Sequence, residues 1–149
     1  MISVSVLYQA LVSLSMCGAI LLHNIRTGEC IKRILKSCEK PPRAIAISEI
    51  GVIAVSFPEQ HLVKIYTING QHYMDDYRLK CEEVWCMQYN RSGDYLITGS
   101  DYGVSFFDTI DKSENNKNVR KSGVKDVFTT VISLCVPTNE EFIIFSINL

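Results

Sequence analysis

Short apolar runs alternate with polar or glycine-containing turns roughly every eight to twelve residues, and no ten-residue amphipathic helix lies between them. This pattern predicts an all-β chain. It also repeats. Residues 82–100, EEVWCMQYNRSGDYLITGS, slide by 47 positions onto residues 129–147, TTVISLCVPTNEEFIIFSI, without a gap. Val84 then falls on Val131, Trp85 on Ile132, Met87 on Leu134, Tyr89 on Val136, Tyr95 on Phe142, Leu96 on Ile143 and Ile97 on Ile144. A shift of 40 in the other direction brings Ala44 to Ile47 under Val84 to Met87, and a shift of 85 brings Leu11, Val12 and Ser15 under Leu96, Ile97 and Ser100. A period of this size is the signature of stacked supersecondary units.

Each unit reads alike. An apolar strand is followed by a polar turn (49–51, 91–94, 138–141) and a second strand (11–15, 52–57, 95–100, 142–147). A tight turn then leads to a third strand (20–25, 62–68, 104–110), and in two units Thr27-Gly28 or Asn69-Gly70 leads to a fourth. Asn-Gly between β-rich runs is a hairpin signal, because glycine supplies the positive φ that the turn demands. The units are bounded at about 1–36, 43–80 and 82–110, with a half unit at 127–149. Residues 111–126 interrupt the series with eight charged side chains and no aromatic, the composition of a solvated loop.

Residues 1–25 contain no Asp, Glu, Lys or Arg. A secretory leader would carry its positive charge before the apolar block, whereas the first cation here, Arg26, follows it. Serines and Gly18 interrupt the stretch, so a strand pair is the better reading and membrane insertion is not expected. Fifteen Lys+Arg against sixteen Asp+Glu leave a net charge of −1, which excludes a global field for nucleic acid or an anionic membrane. The six cysteines include no C-x-x-C pair and no zinc spacing. Cys17, Cys86 and Cys135 sit in or beside apolar runs and are expected to act as small reduced hydrophobes.

The segment TGSDYG followed by VSFFD has the form of a WD-repeat unit, with a Thr-Gly-Ser strand end, an acidic turn closing on Gly103 and a third strand ending at Asp108. In SLSMCGAILLHNIRTGECIKRIL, His23-Asn24 stand where that family has Trp-Asp, and in KIYTINGQ the place is taken by Tyr66-Thr67. The chain therefore resembles WD-repeat β-propellers over nearly its whole length. Residues 21–35 and 64–70 more narrowly resemble the C-terminal propeller of BEACH-domain proteins of the neurobeachin type. That resemblance implies a cytoplasmic scaffold of vesicle trafficking and membrane-protein sorting, peripheral to membranes. With no Trp-Asp and no Gly-His dipeptide, the family's His-Asp-Ser/Thr-Trp network is absent, and units held by apolar burial are expected.

No catalytic constellation emerges. His23, His61 and His72 belong to no metal or hydrolase motif, and there is no phosphate-binding glycine loop. Neither an enzyme nor a cofactor or metal is expected. A protein partner bound through loops is the expectation instead, with a generic adaptor, such as a ubiquitin-ligase substrate receptor, as the alternative. The candidate contact residues are Glu59, Gln60, His61, Glu82, Glu83, Asp101 and Tyr102, in turns between second and third strands or between units. Tyr102 leads them, as an aromatic at a turn tip.

At 149 residues the chain holds about three and a half units of four antiparallel strands, whereas closed propellers have roughly four to eight blades. The expected fold is an incomplete WD-repeat-type propeller, one arc completed by further chain or by a second copy.

Overall fold

The computed structural model describes residues 1–35, 41–78, 83–109, 130–135 and 144–148, so the charged stretch 111–126 and Glu82 lie outside the described residues. Four antiparallel sheets follow one another along the chain. The first runs β1 (Ile2–Ser5), β2 (Ala10–Leu14), β3 (Ile20–Asn24) and β4 (Cys30–Leu35). The second runs β5 (Ile45–Ile47), β6 (Val52–Phe57), β7 (Leu62–Thr67) and β8 (His72–Arg78). The third is β9 (Val84–Tyr89), β10 (Tyr95–Ser100) and β11 (Gly103–Asp108), and the fourth pairs β12 (Thr130–Cys135) with β13 (Ile144–Asn148). The described residues are all-β apart from one 3-10 turn at Pro58–Gln60. The uncharged amino-terminal segment is the β1–β2–β3 meander, and no described helix is long and apolar enough to cross a membrane.

The sheets share one register. Val4, Leu11 and His23 lie side by side across the first, Ile47, Ile53 and Tyr66 across the second, and Tyr89, Leu96 and Phe107 across the third. Successive strand residues point to opposite faces, so a common register gives every sheet the same two faces. One face of the first sheet, Ala10, Val12, Leu14, Ile20 and Leu22, forms a core with Ile45, Ile47, Ile53, Val55 and Phe57 of the second. The other face of the second sheet, including Ala46, Ala54 and Ile65, packs on Met87, Tyr89, Leu96 and Phe107 of the third. The third then offers Cys86, Ile97 and Val104 to Val131 of the fourth. Packed on both faces, β6 is buried at all six positions and loses any apolar–polar alternation. In β2, whose second face is open, burial alternates.

The first strands stand in a row, β1 beside β5, β5 beside β9 and β9 beside β12. Together they border an open cavity of about 560 Å³, with Ile2, Val4, Ile47, Met87 and Ile132 among its lining.

Two details fix the spacing of the sheets. A Cβ on Gly99 would lie 2.6 Å from both the Cys86 Sγ and a Val131 methyl, so only glycine lets β10 face the fourth sheet at this distance. At the turns before the second strands, Gly51 (φ +79°) and Gly93 (φ +81°) receive Tyr8 and Ile50 from the preceding sheet. The corresponding residue of the first sheet is Gln9, also left-handed with φ 49°.

Glu49 ties the first two sheets together. Its carboxylate accepts from the Ser5 hydroxyl at 2.9 Å, the Leu7 N–H at 2.7 Å and the Val6 N–H at 3.1 Å. Partial burial opposes its ionisation, but these donors and the nearby Arg91 outweigh that and hold its pKa below the ordinary glutamate value.

The thiols depart from expectation. Cys86 is buried as predicted, but Cys17 and Cys135 are exposed rather than packed, Cys17 because Gly18 turns the chain there and puts it at the tip of the β2–β3 turn, Cys135 because it ends β12 facing outward. All four described cysteines are free.

Glu49→Gln should lower stability at neutral pH by about 1 kcal/mol, discounted for partial solvent exposure. A lowered folded-state pKa stabilises above the unfolded value and is lost as pH falls through the folded one. The gap between the two proteins in urea melts should therefore close on acidification below the ordinary glutamate range. Gly99→Ala should cost about 1–3 kcal/mol by overpacking, read as a lower urea midpoint.

Candidate functional site

The strand ends of three sheets meet at one edge of the molecule. Arg43 precedes β5, Glu83 precedes β9, Asp101 and Tyr102 form the β10–β11 turn, and Thr130 begins β12. At their centre is Trp85. The β9–β10 register slips here: Gly99 pairs with Cys86 while Ser100 pairs with Val84, leaving Trp85 as the extra residue of a bulge. A bulge re-aims the side chain it carries. The Trp85 indole N–H donates to Asp101 Oδ1 at 2.6 Å, and the Thr130 hydroxyl donates to the same oxygen at 3.3 Å. The Arg43 guanidinium lies over the indole, 3.3 Å from the ring centroid, and its Nη1 reaches Glu83 Oε2 at 3.3 Å.

The turn that carries Asp101 is closed by Ser100, whose hydroxyl accepts from the Tyr102 N–H and donates to the Gly103 carbonyl, both at 3.2 Å. Tyr102 therefore stands on a fixed backbone with its side chain 60% exposed. Both ends of the Arg43–Glu83 pair are wet, with side-chain exposures of 39% and 45%, so the pair is worth under about 1 kcal/mol. Arg43 on the indole adds a similar amount. The cluster thus organises a surface more than it stabilises the fold. An exposed tyrosine beside a half-buried tryptophan and an arginine is the composition of an interface anchor.

Of the sequence candidates, the structure joins Asp101 to Trp85 and Glu83 to Arg43 in one cluster, with Tyr102 following Asp101 in its turn. Glu59, Gln60 and His61 form the exposed turn between β6 and β7 of the second sheet. His61 closes that turn in the left-handed region, at φ 51°. Trp85 and Arg43 were not among the candidates. Trp85 reads as an ordinary strand residue aligned with Ile132, and its role comes from the bulge. The partial signal was its Asp101 partner, in the turn of TGSDYG.

Exposed Cys17 is held below the ordinary thiol pKa, chiefly by its hydrogen bond with the Ser15 hydroxyl 3.0 Å away. Burial pushes the Cys86 thiol up to about 11, keeping it protonated at neutral pH. Among the described residues no three of His, Cys, Asp and Glu converge as a metal site. Ser13 Oγ and His23 Nε2 lie 2.9 Å apart on the open face of the first sheet, tying β2 to β3. No protein-family model matches the chain, and no curated protein matches it.

Trp85 is the single tryptophan, so its fluorescence reports on the cluster directly. Asp101→Ala should red-shift and broaden the emission while leaving the β circular dichroism unchanged, at a cost of about 1 kcal/mol for the lost hydrogen bond.

Proposed function

We propose that this chain is a non-catalytic protein-interaction scaffold of the WD-repeat propeller type, which binds its partner through the edge centred on Trp85 and Tyr102. The observation that carries the reading is the convergence of Arg43, Glu83, Trp85, Asp101 and Thr130 from three sheets, with exposed Tyr102 next to Asp101 in the same turn. Loops on a rigid β scaffold are where binding residues concentrate. The propeller part of the reading is supported by antiparallel sheets that pack face to face in chain order, with β1, β5, β9 and β12 bordering one cavity.

The partner class comes from the resemblance of residues 21–35 and 64–70 to BEACH-type propellers. It favours cytoplasmic proteins of vesicle or membrane-protein sorting, met peripherally at the membrane surface.

A photo-crosslinking amino acid at position 102 of the full chain, expressed in cells, tests both parts. Vesicle-sorting proteins should be recovered, and in co-precipitation their yield should fall about tenfold or more in Tyr102→Ala and Arg43→Ala. Tyr73→Ala, which removes an exposed tyrosine from β8, should leave it unchanged. Equal recovery by all variants overturns the site. Recovery of ubiquitin-ligase subunits in place of sorting proteins overturns the trafficking assignment and supports an adaptor.

A further inference from the structure

The turn between β1 and β2 carries large apolar side chains into solvent: Val6 is 75% exposed, Leu7 73%, and Tyr8 is exposed beside them. The second sheet places its own turn next to this one, with Ile50 exposed and its carbonyl accepting from the Tyr8 hydroxyl at 3.3 Å. Exposed Ile25 adjoins on the other side, its N–H donating to the Gln9 carbonyl at 2.9 Å. A single exposed apolar residue needs no explanation, but five on three adjoining turns form a patch. The patch lies at the ends of the strands opposite Trp85 and Tyr102. Its tip has an internal cap. The Glu49 carboxylate accepts from the Val6 and Leu7 N–H groups at 3.1 and 2.7 Å, and the Gln9 N–H donates to the Val6 carbonyl at 3.1 Å, so these donors need no water.

We propose that this tip docks on a lipid bilayer, with Val6 and Leu7 entering the headgroup layer. Lipid takes in apolar side chains but offers nothing to an unpaired backbone donor, and the Glu49 cap removes that cost. The residue types fit the same partner. Where the Trp85 edge pairs an arginine and a carboxylate with an indole, this patch is aliphatic with one tyrosine at its border, the composition of protein at a lipid–water boundary. Exposed Arg26 follows Ile25, and exposed Arg91 lies near Glu49, so two guanidinium groups border the patch and complement lipid phosphates. The Glu49 carboxylate beside them is taken up by its three donors. With a net charge of −1 no wider field assists, so attachment rests on the apolar tip and is weak and reversible. The tip lies in the interface and spans nothing. This contact is separate from the Trp85 edge and does not rest on the partner proposed for it.

Flotation of the full chain with small vesicles of phosphatidylcholine, alone or mixed with phosphatidylserine, tests this. The chain should float with both, and high salt should leave binding to phosphatidylcholine in place. Leu7→Asp, at an exposed position, should weaken binding about tenfold or more with unchanged circular dichroism. Glu49→Ala keeps every apolar side chain of the patch but frees the Val6 and Leu7 N–H groups, and should weaken binding severalfold, an effect that a bare apolar patch would not show. Brominated lipids should quench the emission of Leu7→Trp but not that of the unaltered chain, whose single tryptophan lies at the opposite strand ends. Tyr102→Ala should bind vesicles as the unaltered chain does. Absence of flotation with either vesicle overturns the proposal, including the case in which a photo-crosslinking residue at position 7 captures a protein instead. Flotation that is indifferent to Leu7→Asp, or confined to phosphatidylserine and lost in salt, overturns it as well.

Discussion

Burial of one sheet face against the next is the interaction on which everything else in this molecule depends. A row of short antiparallel sheets holds where each buries a face against its neighbour, and an inner sheet is sealed by burying both. The second and third sheets meet that condition, which is why Ile53, Ala54, Val55, Ile65 and Leu96 are sealed from solvent. Hydrogen bonds between sheets, such as Ser3 to Ile47 and Ser5 to Glu49, fix angle and height more than they supply cohesion.

That dependence explains what was legible in the sequence. Strand class, order and register follow from apolar runs and turn residues, because the same burial is imposed on every unit. Leu11 and Leu96 could be matched because each holds the same register position in its sheet. The gapless match of residues 82–100 to 129–147 worked for the same reason, down to the bulges that Trp85 and Ile132 occupy in β9 and β12.

The binding edge was legible only in part. Turn tips announce themselves through Gly103 and Asp101, so Tyr102 could be picked out from its neighbours in the chain. Arg43 and Trp85 are 42 residues apart, and what joins them is the parallel placing of β5 and β9 in neighbouring sheets. No local pattern encodes that. The thiols failed for a related reason: Cys17 lies in an apolar stretch, yet Gly18 turns the chain there and puts it outside.

Gln9 gives the row a direction. Gly51 and Gly93 combine a left-handed backbone with close approach by Tyr8 and Ile50, whereas the corresponding left-handed position of the first sheet carries an exposed glutamine, Gln9. The first sheet therefore differs from the next two in carrying a side chain at this turn. Any sheet that docks against it must leave room for that side chain at the turn.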